Sequence, residues 1–329
     1  MNNHWIKIFP GIMLTLLIAL PAYCLGILFP LVGGPVIGIL SGIIFAFWKR
    51  PALYQAGITF TSKKILQASI IFLGFEMNLY RVLEVGSQSL YVMIFTLSAA
   101  FLTACAAGRY LKIDRNTKIL VGVGTAICGG SAIAATAPVI AANNKDIAYS
   151  VSTIFLFNIA AVFIFPFTGH LLGMSDIGFG MWAGTAINDT SSVVASGYSF
   201  SNAAGNFATI VKLTRTLMII PVTLALALFT AREKTDNSSF SFVKIFPWFI
   251  VGFLATSLLN TTEALPAVTG KALSQTGKFF IVMAMTAIGL NTHLRQLINN
   301  GRGPILLGLA CWLAVAVVSL AVQHYLALW

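Results

Sequence analysis

Apolar stretches of about 20 residues, each long enough to span a bilayer as a helix rising about 1.5 Å per residue, follow one another along nearly the whole chain. Short polar or cationic clusters separate them. The pattern places eleven candidate spans at 8–30, 33–48, 63–80, 88–110, 119–142, 148–171, 177–198, 206–231, 244–260, 272–291 and 304–328. It predicts an all-α polytopic membrane protein of about 10–11 transmembrane helices. No soluble domain fits between the spans, so residues 1–329 form one integral membrane unit. The segment Gly33 to Trp48 is short enough to be re-entrant or to thin the bilayer. The first run follows Lys7 and contains Ala19-Leu-Pro-Ala-Tyr-Cys24, which imitates a cleavage site. It exceeds the apolar core of a signal peptide and reads as a retained span.

Two of the runs are interrupted in the same way. Gly124-Thr-Ala-Ile-Cys-Gly-Gly-Ser-Ala-Ile-Ala-Ala-Thr136 returns 60 residues later as Gly184-Thr-Ala-Ile-Asn-Asp-Thr-Ser-Ser-Val-Val-Ala-Ser196, with six identities. Ala132/Ser192, Ile133/Val193 and Thr136/Ser196 are conservative pairs. Clustered Gly, Thr and Ser weaken a helix, and paired interrupted helices in a membrane protein point to a substrate site. The one full span between the copies leaves both pointing the same way. If they are inverted mates, at least one is discontinuous or half-crossing, with unwound backbone tolerated at depth only where it lines a cavity. Local packing convergence is the alternative. A second similarity pairs Leu73-Gly-Phe-Glu-Met-Asn-Leu-Tyr-Arg-Val-Leu-Glu-Val-Gly86 with Ile288-Gly-Leu-Asn-Thr-His-Leu-Arg-Gln-Leu-Ile-Asn-Asn-Gly301. It ends two spans expected to run in opposite directions, as inverted repeats require. The repeats would cover roughly 33–142 and 177–329.

Composition agrees with the pattern: 58% of residues are hydrophobic and 9% charged, against roughly 25% charged in a soluble domain. A net charge of +11 would suggest nucleic acid for a soluble protein, but here its distribution gives orientation and no nucleic-acid partner is expected. Counting spans from the N-terminus, one face receives Lys7, Lys49, Arg50, Lys63, Lys64, Arg109, Lys112, Arg115, Lys118, Arg232, Lys234, Lys244, Arg295 and Arg302. The other receives Arg81, Lys145, Lys271 and Lys278. The positive-inside rule then puts the N-terminus in the cytoplasm and the C-terminus outside. The four cysteines, Cys24, Cys105, Cys128 and Cys311, lie in apolar segments without CxxC spacing, which argues against a disulfide framework or a zinc site. No metal or other cofactor is expected.

Asp189 is the foremost candidate for chemistry, a carboxylate in mid-span flanked by Asn188, Thr190, Ser191 and Ser192. An intramembrane carboxylate is costly and marks a function by default; a structural carboxylate satisfied by hydroxyls or a cation is the alternative. Lys212, Arg215 and Thr216 share one helix face at i, i+3, i+4 spacing. Arg215 lies about 13 Å into its span, where it should face a cavity, an anion or Asp189. In the first copy, Thr125, Cys128, Gly129, Gly130 and Ser131 could leave backbone N–H groups free for an anion at a half-helix N-terminus, or could serve close helix packing. Glu76, His170 and His293 lie near span ends, and Asn158 reads as an interhelical hydrogen-bonding residue. No hydrolase, metalloprotease or P-loop pattern is present, so an enzyme is not expected.

Gly122-Val-Gly-Thr-Ala-Ile-Cys-Gly-Gly-Ser-Ala-Ile-Ala-Ala-Thr-Ala-Pro138, Trp182-Ala-Gly-Thr-Ala-Ile187, Ala208-Thr-Ile-Val-Lys-Leu-Thr-Arg215 and Phe246-Pro-Trp-Phe249, in this order, resemble the YeiH-type sulfate exporter family. The likeness runs through most of the chain. That family is grouped with bile acid, arsenite and riboflavin transporters and, more distantly, cation/proton antiporters. The resemblance implies ten or eleven helices with inverted repeats and discontinuous crossing helices, in a bacterial inner membrane. Many members have His-Glu where this chain has Asn188-Asp189, so the acidic position is kept and the imidazole is absent. Asn-Asp on a crossing helix is also similar to electroneutral sodium/proton exchangers.

The expected function is secondary transport, export or exchange of a small sulfate-like or organic anion coupled to a proton or sodium. Asp189 would carry or sense the coupling ion and Lys212 and Arg215 would supply positive charge. A cation/proton antiporter using Asn188-Asp189 is the nearest alternative and a membrane channel the one from another class. The expected partners are the anion, the coupling ion and the lipid bilayer, with a homodimer as an option.

Overall fold

The computed structural model describes residues 2–29, 34–48, 50–231, 248–292 and 302–328; no strand occurs among them. Lys49, Arg232, Lys234, Lys244, the Phe246-Pro247 part of the fourth motif, His293, Arg295 and most of the segment 288–301 lie outside the described residues. The helices are α1 Asn2–Leu28, α2 Gly34–Ala46, α3 Gln55–Phe60, α4 Leu66–Leu73, α5 Leu79–Tyr110, α6 Arg115–Ala126, α7 Gly130–Val139 and α8 Asn144–Leu171. They continue with α9 Asp176–Ala186, α10 Thr190–Phe200, α11 Asn202–Leu217, α12 Ile219–Ala231, α13 Trp248–Thr261, α14 Ala267–Leu290 and α15 Arg302–Tyr325. A π-helical turn at Thr61–Ile65 joins α3 to α4. Among the described residues six helices are long and apolar enough to cross a membrane, namely α1, α5, α8, the stretch Asn202–Leu226, α14 and α15.

Side-chain oxygens start the principal helices. Asn78 accepts from the Tyr80 and Arg81 amides at the head of α5, Asn143 from Asp146 at α8, Ser175 from Gly178 at α9 and Ser201 from Ala204 at α11. Each satisfies amides that the first helical turn leaves without a carbonyl. The helices sort into two packed groups, α1 to α4 with α13 and α14, and α5 to α12 with α15. In the first group α2 and α14 cross at Gly42 and Gly289, where a side chain at either position would lie 2.3 Å from the other helix's backbone oxygen. The groups meet chiefly where α10 packs on α2 and α14.

Both copies of the repeated segment are broken, and both fold back at the break. The head of α6 lies beside the end of α5, with Lys118 against Gly108, and beside the head of α8, where the Thr117 hydroxyl donates to Asp146 at 3.2 Å. Ile133 of α7 packs on Gly124 of α6, so the two arms run antiparallel. Likewise the Ser201 hydroxyl after α10 donates to Asp176 at the head of α9 at 2.5 Å, and Phe179 stacks on Phe200 with centroids 4.0 Å apart. Arms of 10 to 12 residues rise about 15–18 Å, half of a hydrocarbon core about 30 Å thick. These are half-crossing hairpins, one of the two arrangements that the parity of the spans required.

With α8 crossing between them, the hairpins enter from opposite faces. The α6–α7 hairpin opens on the face where α1 begins, hereafter the near face, and α9–α10 on the far face. Lys145 is thereby corrected. Expected opposite the near-face cations, it sits at the head of α8 on their side, because the hairpin before it returns to the face from which it entered.

Candidate functional site

The two hairpin tips meet at half depth. A side chain on Gly129 would approach Asp189 Cβ to 3.2 Å. The first arms end alike, in Gly124-Thr-Ala-Ile127 and Gly184-Thr-Ala-Ile187, leaving carbonyls beyond the reach of any helical amide. Two cations of α11, both fully buried, satisfy them. Lys212 Nζ donates to Ile127 O at 2.8 Å, to Ile187 O at 3.0 Å and to Asn188 O. Arg215 donates through Nε to Ala126 O at 2.6 Å, through Nη1 to Ile187 O at 3.1 Å and through Nη2 to Thr125 O. Three acceptors around one nitrogen match the three N–H bonds of an ammonium.

The second arms start differently. Gly129 opens α7 at φ +71°, a conformation suited to glycine. No side-chain oxygen caps this helix; the Cys128 thiol lies against the Ala132 amide. A side chain built on Gly130 would meet nothing within 4 Å, and Ser131 is exposed, so this N-terminus faces open space. In the second hairpin Asp189 is extended at φ −103° and caps α10, accepting from the Ser192 amide at 2.9 Å and the Ser191 hydroxyl at 2.5 Å.

The structure thus brings together Thr125, Cys128, Gly129, Gly130, Ser131, Asn188, Asp189, Thr190, Ser191, Ser192, Lys212 and Arg215. Thr216 stays apart in its hydrogen bonding, its hydroxyl donating to Lys212 O one turn back at 2.9 Å. Arg215 faces carbonyls, and no ion pair within 4 Å joins Lys212 or Arg215 to Asp189 among the described residues. Asp189 and Thr190 remain partly accessible. Asn188 is 1% exposed, yet both polar atoms of its amide lack a partner, as do Thr125 Oγ1 and Asn158 Oδ1. Asn158, read from sequence as an interhelical residue, lies beside Gly129, its Nδ2 3.6 Å from where a side chain there would begin. Its position on the one span threaded between the two interrupted segments was the signal that could have promoted it.

Electrostatically the tips are unbalanced. Each helix end carries roughly half a unit charge; two C-termini and two N-termini therefore cancel. Two cations against one carboxylate leave about one positive charge at half depth, in a region where charge is poorly screened.

At the far face a second polar group joins the two helix bundles. Glu76 pairs with Lys278 at 2.8 Å and accepts from Ser274 at 2.5 Å. Lys278 Nζ lies 5.8 Å from the ring centre of Tyr198, whose hydroxyl donates to Asn206. A cavity of about 320 Å³ next to it is lined by Glu76, Arg81, Asp176, Asn206, Phe207 and Ile210.

Comparison with known proteins locates this architecture. The family model described as conserved hypothetical protein 698 matches residues 10–308. A UPF0324 membrane protein of Streptococcus pyogenes serotype M6 is 50% identical over 100% of both chains. One from Streptococcus agalactiae serotype V is 47% identical over 97% of this chain and 98% of its own. One from Fusobacterium nucleatum is 46% identical over 99% of each. No solved structure matches. The chain is a membrane protein, and it belongs to the conserved hypothetical protein 698 family.

Proposed function

We propose that this protein is a secondary transporter that exports or exchanges a small anion, sulfate-like or organic, with coupling to a proton or sodium. The observation that carries the reading is the meeting of two half-crossing hairpins at half depth around a net positive charge. We place the anion at the open N-terminus of α7, beside the Gly130 and Ser131 backbone amides, with the unpartnered Asn188 Nδ2 as a further donor. Lys212 has no N–H left for it, while Arg215 has two of its five free of the tip carbonyls. The cations therefore act mainly through their field. Opposed hairpins of this kind suit alternating access by movement of one group of helices against the other.

The N-terminus is assigned to the cytoplasm. Among the described residues Lys7, Arg50, Lys63, Lys64, Arg109, Lys112, Arg115, Lys118, Lys145 and Arg302 belong to the near face or the half of a span next to it, against Arg81, Lys271 and Lys278 at the far face. The family resemblance adds the sulfate-exporter reading and a bacterial inner-membrane location.

Flux in proteoliposomes tests the proposal. Asp189→Asn is expected to lose coupled flux and Arg215→Gln to lose flux altogether; full coupled flux in both variants would sink it. A thermal-shift screen against sulfate, sulfonates, carboxylates, arsenite and sodium identifies the ligand, since one that binds the folded state stabilises it. One observation favours cation/proton antiport as a second reading: Asp189 is partly accessible and pairs with no cation among the described residues. Sodium-driven proton movement in everted vesicles, reported by a dye, separates the two.

A further inference from the structure

Lys212 lies in an arrangement that goes beyond charge compensation. Its Nζ is surrounded by the backbone oxygens of Ile127, Ile187 and Asn188, contributed by both hairpins, and the side chain is fully buried. The oxygens of Ile127 and Ile187 lie 2.8 and 3.0 Å away. Carbonyl oxygens converging at half depth from two helix C-termini are what a dehydrated monovalent cation requires, and both helix dipoles favour positive charge there. One of the three residues, Asn188, also carries a buried side-chain amide without a partner, and the next residue is the carboxylate Asp189. The charged or titratable groups around this point are Arg215, Asp189 and Cys128.

We propose that the Lys212 ammonium is a resident cation. It fills a monovalent-cation site built jointly by the two hairpin tips, so the protein joins those tips without recruiting sodium or potassium. Such a cation never dissociates, and the wild-type protein needs no alkali ion to complete its fold. Removing the side chain uncovers the site, with the carbonyls of Ile127, Ile187 and Asn188 as ligands. Sodium, potassium or a small alkylammonium then binds where Nζ was. The inference concerns how the tips are held and stands whichever solute is transported.

Thermal unfolding of the purified full chain in detergent tests it, with sodium chloride, potassium chloride, propylammonium chloride or choline chloride at one ionic strength. Wild type is expected to melt at the same temperature in potassium, propylammonium and choline, and its shift in sodium, which a coupling ion at Asp189 also produces, is the baseline for the sodium arm. Lys212→Gly is expected to melt several degrees lower in choline and to recover part of the loss as sodium, potassium or propylammonium is raised, the mass-action signature of a ligand specific to the folded state. Recovery beyond the wild-type shift in the same salt, for any of the three, supports the site. A folded Lys212→Gly protein indifferent to all three overturns it, as does a wild-type protein stabilised over choline by potassium or propylammonium as strongly as Lys212→Gly is. If Lys212→Gly does not fold in any salt, Lys212→Ala carries the same test. The wild-type arm remains decisive against the proposal in either case. No transport is measured, so this result is independent of the one that tests the anion reading.

Discussion

The α6–α7 tip and the α9–α10 tip begin from the same four residues and then part. Gly-Thr-Ala-Ile ends the first arm of each, because each must present carbonyls to the same two cations of α11. After that, Cys128-Gly129-Gly130 turns with positive φ and leaves an uncapped N-terminus facing open space. Asn188-Asp189-Thr190 turns through extended backbone and caps its own helix with a carboxylate. The identical part of the repeat is thus the part that shares a structural task. The divergent part makes one tip a donor surface and the other an acceptor, so two pseudo-equivalent hairpins offer opposite chemistry at one point.

Five substitutions at four positions probe that difference. The largest effect is expected where both tips depend on one side chain. Arg215→Met leaves the carbonyls of Thr125, Ala126 and Ile187 short of a donor and should lower unfolding stability by about 3–5 kcal/mol, read from denaturation in detergent. Next comes the first tip alone. Gly129→Ala must hold positive φ and press on Asp189 Cβ, which should cost about 1–3 kcal/mol; equal stability would mean the tips have room to separate. On the second tip Asp189→Ala removes a cap worth about 1 kcal/mol. Asp189→Asn keeps a capping oxygen and should stay within about 0.5 kcal/mol of wild type while coupled flux is lost. Flux unchanged in Asp189→Asn would reduce this tip to a structural role. Asn188→Ala should also cost little, under about 1 kcal/mol, because the amide already lacks partners. Its expected signature is loss of the thermal shift produced by the transported ligand.

Much of this was legible in the chain. The spans follow from apolar length, and the half-crossing alternative follows from parity, since two similar segments separated by one full span are inverted only if a segment turns back. Asp189 and Arg215 stood out because a charge at that depth is expensive. What Arg215 touches was not legible. From sequence it had a carboxylate, an anion or a cavity to choose from, and the structure gives it three carbonyls. A backbone oxygen has no residue type, so a helix end as partner leaves no mark at the position that supplies it. Asn158 carries no mark of its place for a related reason: its neighbour is Gly129, which presents only backbone. Lys145 was put on the wrong side because a hairpin and a crossing helix have the same apolar content.

The sequence by itself determined that this is an all-α membrane protein, which segments are weakened, and which few charges lie at depth. Each is set by local composition acting against hydrocarbon, a solvent that acts on every residue alike. Only the tertiary structure decided that both weakened segments fold back, that they enter from opposite faces, and that their C-terminal carbonyls converge on Lys212 and Arg215. Those outcomes depend on helix ends meeting across 85 to 90 residues of chain, and the direction of an unsatisfied carbonyl is a property of the fold.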